Sequence, residues 1–228
     1  MDRFTCEDFL VLYYTGKEKK CQLNEMMATY HIASVENMDI SAIEGLKRQG
    51  FQFHDRILQM EIDIAATEEL RKKTMEKLMV FPLEVSEVIS DEMFRLGCLA
   101  FNTDRRFHLK PEFDTEISAK TLKEYIRFYN EQDIVVTRVE YDGELAGYTV
   151  IHRQDEQAEN VLGATKPGIL GKMVAFGLYA NTIKYLYEQE NYKKYYAEVS
   201  SSNTASINLH VQLGAKVLGS YDKYICIE

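Results

Sequence analysis

Between Tyr196 and Lys216 the chain has to run out, turn over a short helix and come back, and few folds allow that. A strand-like run ends at Val199, and the serine cluster Ser200-Ser201-Ser202 follows it. Asn203 is a residue type whose side-chain oxygen caps a helix N-terminus, and Gly214 supplies the left-handed backbone that ends one. The spacing predicts a helix between them, with Asn203, Ile207 and His210 on one face.

The same order of residues occurs earlier. Asn37 opens a helical stretch, Gly50 closes it, and the apolar run Ile57–Ile64 comes next. Asn37 to Gly50 is thirteen residues and Asn203 to Gly214 is eleven. This reads as an internal duplication, the alternative being that helix, Gly and strand recur by chance. Phe9–Tyr14 reads as a strand ended by Gly16. Residues 65–77 are dense in Glu, Arg and Lys and read as a charged helical linker. Two parts are therefore expected, 1–77 and 78–228.

In the second part, Met79–Val85 reads as a strand and Asp91 as the cap of a helix running to about Phe101. An irregular loop carries Arg105, Arg106, Phe107 and His108, and a second helix has Leu122, Tyr125, Ile126 and Tyr129 as its apolar stripe. Ile134–Tyr141 and Leu145–Ile151 alternate as strands around Asp142-Gly143, a strong hairpin turn. A third strand lies near Asn160–Thr165. After the loop Lys166-Pro167-Gly168 comes a long helix striped by Ala175, Leu178, Tyr179, Thr182 and Leu186.

This order of antiparallel strands, then strand, loop, helix, strand, helix and strand, resembles the GNAT N-acetyltransferases over about residues 79–228. The closing unit keeps the family's Asn203, Ala205, Leu209, Leu213 and Gly214. It has His210 where the family usually carries the tyrosine that protonates the leaving thiolate, and Ala215 where it carries Phe. The resemblance implies an α/β protein of GNAT type, a mixed and mostly antiparallel twisted sheet flanked by helices. A smaller N-terminal α/β part would be an incomplete GNAT half. The whole chain is most similar to the TDP-fucosamine acetyltransferases and their relatives. The runs Gly50-Phe51-Gln-Phe-His-Asp55-Arg56 and Arg106-Phe107 carry that similarity.

The loop before the long helix is the expected cofactor cradle, since a helix N-terminus offers unpaired amides and a positive dipole end to a pyrophosphate. In the family this place holds acetyl-CoA. The resemblance implies that Gly163, Ala164, Thr165, Leu170, Gly171, Lys172, Met173, Val174, Ala175 and Asn203 contact it. The family's phosphate signature, laid on this chain, reads Leu170, Met173 and Ala175, of which Ala175 conforms. His210 is the expected catalytic acid. Arg105, Arg106 and Phe107 would bind an anionic acceptor, such as a nucleotide-linked sugar bearing a primary amine. As the rival to the cradle, a Gly/Pro loop merely starts a helix; as the rival to the acid, a lone His is a hydrogen-bonded structural residue.

Composition bounds the alternatives. A 228-residue chain that is 46% hydrophobic and 28% charged should fold with a substantial core. A formal net charge of −9 argues against a nucleic-acid binder. Four cysteines without Cys-x-x-Cys spacing fit a reducing cytosol and suggest neither zinc nor a disulfide framework. His31, His54 and His152 sit singly and suggest no metal site. No signal core or membrane span is evident. A P-loop is excluded, because Met173 follows Gly171-Lys172 and Lys166 stands where its first Gly belongs. The reading is an acetyl-CoA-dependent N-acetyltransferase acting on a small-molecule amine in the cytoplasm, with a homodimer left open. A GNAT acting on another amine or a peptide N-terminus, and a non-catalytic GNAT-fold binding module, are its rivals.

Overall fold

The hairpin at Asp142-Gly143 forms with φ of 54° and 76°, the mirror-image turn whose twist matches that of the strands it joins. In the computed structural model, the described residues are 3–6, 9–14, 30–36, 39–75, 82–101, 115–155 and 157–227. Along the chain they form β1 (Arg3–Cys6), β2 (Phe9–Tyr14), β3 (Tyr30–Glu36), α1 (Ile40–Arg48), β4 (Gln52–Asp63) and α2 (Glu68–Met75). Next come β5 (Glu84–Ser86), α3 (Asp91–Ala100), α4 (Thr115–Asn130), β6 (Ile134–Tyr141), β7 (Glu144–Arg153) and β8 (Gln157–Thr165). The remainder are α5 (Ile169–Glu188), β9 (Lys194–Ser200), α6 (Thr204–Gln212) and β10 (Lys216–Ile227).

The strands form one ten-stranded sheet in the order β1-β2-β3-β10-β4-β9-β8-β7-β6-β5. Two neighbouring pairs are parallel, β2 with β3 and β8 with β9. The other ladders are antiparallel. The fold is therefore the expected mixed α/β one. The boundary read at 77/78 falls among residues outside the described set, and the sheet itself interleaves the two parts. β4, from the N-terminal part, pairs with β9, while β10 lies between β3 and β4.

The internal duplication has a structural counterpart. In each half a parallel strand pair leads into a nine-residue helix, a glycine with positive φ, and a twelve-residue strand. The first helix does not start at Asn37, which lies outside the described residues. Its cap is Asp39, whose Oδ1 accepts the amide of Ala42 at 3.0 Å. Asn203 caps the second helix in the same way, accepting the Ser206 amide at 3.0 Å. From Asp39 to Gly50 and from Asn203 to Gly214 the step is now the same, eleven residues. Two further boundaries differ from expectation. Ser90 rather than Asp91 caps α3, because its hydroxyl reaches the Met93 amide at 3.4 Å. The strand read over 79–85 is the short β5, residues 76–81 lying outside the described set.

The helices cover both faces of the sheet. On one face Leu178, Ile183 and Leu186 of α5 pack on Met60, Ile62, Val135, Ile151, Tyr195 and Ala197. On the other, Met93, Leu96, Leu122 and Ile126 of α3 and α4 pack on Tyr148, Val150 and Val161. Each such side chain contributes about 1.5–3 kcal/mol on burial. A fully buried hydroxyl chain fixes how α5 sits: Thr137 Oγ1 lies 2.7 Å from Thr149 Oγ1 and 2.6 Å from Thr182 Oγ1. Thr182 in turn donates to the Leu178 carbonyl at 2.8 Å.

Candidate active site

β8 and β9 pair over four residues each, Gln157–Asn160 against Lys194–Ala197, and then part. Beyond that point Val161–Thr165 run beside β7 and Glu198–Ser200 beside β4. Among the described residues one edge of each strand is left without a ladder partner, and unpaired edges are ready to bond an extended ligand. The parting coincides with a register shift in the β7–β8 ladder, where Ile151 faces Asn160 but Val150 faces Leu162. An extra residue of this kind bends a strand and re-aims the residues after it. Gly163 lies in the bent segment. A Cβ there would stand 2.0 Å from the Tyr179 hydroxyl, so the ring of Tyr179 fits only against glycine.

The cleft that opens has a volume of about 810 Å³. Gly163, Ala164 and Thr165 line it from β8, as do Gly171, Lys172 and Ala175 from α5. Asn203 and His210 line it from α6. Two residues expected at the cofactor are turned elsewhere. Val174 is fully buried in the core under α5, and Met173 is 45% exposed and does not border the cleft. The side chain of Leu170 lies outside the described residues, as do Arg105, Arg106 and Phe107 entirely.

The start of α5 is shaped by its backbone. Gly168 is the cap, at φ 91°, and has no side chain with which to bond the first amides. The helical ladder starts with Lys172, whose amide reaches the Gly168 carbonyl at 3.4 Å. The amides ahead of that bond are those of Ile169, Leu170 and Gly171, rather than the later ones up to Ala175. A Cβ on Gly171 would sit 1.7 Å from the Lys166 carbonyl oxygen, so this loop closes only around glycine. Lys166 is held by an ion pair with Glu144.

His210 is 1% exposed. Its Nδ1 lies 2.8 Å from the Ser206 carbonyl, to which it donates, so Nε2 carries the lone pair. Among the described residues Nε2 has no hydrogen-bond partner. Burial pushes the imidazole's pKa down, opposed by the Ser206 hydrogen bond. The lowered pKa favours the uncharged ring, which presents an acceptor at Nε2. Tyr179 meets it edge-on at 5.5 Å and Tyr195 stacks on it at 6.1 Å.

On the opposite face of the sheet the sequence reading missed a constellation. Glu198 lines the cleft and accepts the hydroxyls of Tyr196 and Tyr221 at 3.1 and 2.5 Å. Glu159 faces Tyr196 across the β8–β9 ladder. The available signal was strand alternation. Tyr195, Ala197 and Val199 are buried toward α5, which turns Tyr196 and Glu198 to the other side. The Asp55-Arg56 run serves the sheet: Arg56 grips Asp222 through Nε at 2.7 Å and Nη2 at 3.1 Å, tying β4 to β10. Among the described residues no group of His, Cys, Asp and Glu could hold a metal ion. None of their helices is long and apolar enough to cross a membrane.

Solved structures share this fold. A functionally unknown conserved protein from Staphylococcus epidermidis superposes with a TM-score of 0.58 at 16% identity, over 88% of this chain and 73% of its own. A tandem GNAT protein from the clavulanic acid biosynthesis pathway gives 0.57 at 14% identity, over 88% and 65%. A GCN5-related N-acetyltransferase from Sphaerobacter thermophilus gives 0.54 at 11% identity, over 87% and 59%. The chain thus spans between 59% and 73% of the length of these structures, and at such identities the likeness is one of fold. No curated protein matches the sequence. The acetyltransferase (GNAT) family model matches residues 99–215, which hold the end of α3, the parted strands, the glycine-capped α5 and α6, and stop just before β10. The match covers just over half of the sequence, and the chain belongs to the acetyltransferase (GNAT) family.

Proposed function

We propose that the cleft between β8 and β9 binds acetyl-CoA and that the chain moves its acetyl group to a primary amine. The parting of a parallel strand pair beside an uncapped helix N-terminus is the observation that carries this reading. Acetyl-CoA, which the family generally uses, supplies the acetyl thioester. The amides of Ile169, Leu170 and Gly171, at the positive end of α5, suit its pyrophosphate. The unpaired edges of β8 and β9 suit an extended arm, and backbone amides of β8 suit the developing oxyanion.

The proton balance gives His210 a role compatible with its neutral state. As the C–N bond forms and the C–S bond breaks, nitrogen sheds one proton and sulfur takes one up. A buried imidazole with a free Nε2 receives the first and delivers the second. The nucleotide-linked amino sugar implied by the resemblance rests on Arg105, Arg106 and Phe107, outside the described residues. The Asp55-Arg56 run is accounted for by its strand clamp.

Calorimetry with acetyl-CoA tests the reading. Wild type is expected to bind and to rise in Tm with ligand concentration. Gly171→Ala, which pushes a methyl into the Lys166 carbonyl, is expected to weaken binding tenfold or more. No heat at millimolar acetyl-CoA would overturn the assignment.

A further inference from the structure

Two carboxylates, Glu159 of β8 and Glu198 of β9, lie on neighbouring strands on the face of the sheet away from α5. Glu198 is held by the Tyr196 and Tyr221 hydroxyls. Glu159 accepts Gln154 Nε2 at 2.6 Å and faces His152 Nδ1 at 3.5 Å. Burial, and after it the charge of Glu198, push the Glu159 carboxyl up. Among the described residues, no lysine or arginine is within salt-bridge distance of either. Carboxylates that repel each other in partial burial are relieved by a positive charge placed between them.

A second observation is independent of the acids. The cleft, whose lining includes Glu198 but not Glu159, is also lined by His210, 1% exposed, and by Asn160; among the described residues neither His210 Nε2 nor the buried Asn160 Oδ1 has a partner. Both of these side-chain atoms are acceptors and suit N–H donors on a ligand, while the free donors of the cleft are the backbone amides of α5 and β8. An ammonium gripped by two carboxylates is kept charged and cannot attack a thioester. The carboxylate pair therefore suits an amino group that does not react.

We infer that the acceptor is a cationic diamine, with one amino group entering the cleft beside His210 and the second, as ammonium, held by Glu159 and Glu198. The fate of the first group rests on the acetyl-transfer reading; the second can be tested without it. Calorimetry compares 1,4-diaminobutane with n-butylamine, its single-charge counterpart, and with a nucleotide-linked amino sugar. The diamine is expected to bind at least about tenfold more tightly than butylamine, since a second charge-assisted contact is worth that much. Glu159→Gln and Glu198→Gln, both isosteric, should each remove most of that preference, and Glu159→Gln should leave acetyl-CoA binding unchanged. Equal binding of the two amines, a preference kept in both variants, or tighter binding of the nucleotide sugar would overturn the inference. A diamine preference without any acetyl-CoA binding would refute the transfer reading and uphold the carboxylate site.

Discussion

α1 and α6 are the same element built twice, and they differ at one buried position. Each has nine residues, an Asp or Asn cap and a closing glycine with positive φ. Seven residues beyond the cap, each turns its one buried side chain inward: Leu46 in α1 and His210 in α6. Leu46 packs with Ala33, Val35, Phe51 and Tyr224. His210 sits at the equivalent place with a lone pair unpaired. Packing alone asks for the leucine, because a buried acceptor left unsatisfied costs about 1–3 kcal/mol. The histidine therefore costs stability at a place where its twin packs a leucine.

Making α6 like α1 is the hardest test of that contrast. His210→Leu should lower kcat for thiol release by about a hundredfold or more, with acetyl-CoA affinity changed only a few-fold and stability equal or higher. A folded His210→Leu enzyme with wild-type turnover would make His210 a packing residue. The reverse exchange is smaller. Leu46→His should cost about 2 kcal/mol in urea unfolding, from lost apolar burial and an imidazole without a partner, and should leave kcat untouched. Equal stability would mean that the two helix sites are not equivalent.

The smallest effect is in the pH dependence of stability. Burial holds His210 below its ordinary value of about 6.5. As pH falls, the unfolded chain therefore takes the proton first. The stability that depends on neutral His210 is present above about pH 6.5 and is lost below it, at no more than about 1.4 kcal/mol per pH unit. Urea midpoints measured from pH 7.5 to 5 should fall for wild type more steeply than for His210→Leu. Parallel curves would place the acid sensitivity elsewhere.

Much of the fold could be read from residues that act within a few positions of themselves. Asn203 caps, Gly50 and Gly214 take left-handed backbone, Asp142-Gly143 turns, and the stripe of α5 repeats with the helical period. These depend on φ, ψ and periodicity, which a short stretch determines alone. Asn37 and Asp39 offer the same capping chemistry two residues apart, and only the bond from Ala42 to Asp39 distinguishes them.

The site is different in kind. The exchange of β4 and β10 joins residues more than a hundred and fifty positions apart, and the parting of β8 from β9 depends on what each finds on its other side. Glu159, Glu198 and Tyr221 come from three strands, and no local spacing announces their meeting. His210 was visible as a residue, but its protonation state was not, since desolvation is set by the rings of Tyr179 and Tyr195 around it. The sequence by itself determined the elements, their ends and the repeat, because those are short-range backbone preferences. Tertiary structure decided the cleft, the carboxylate pair and the neutral imidazole, because strand partners and burial are properties of the assembled sheet.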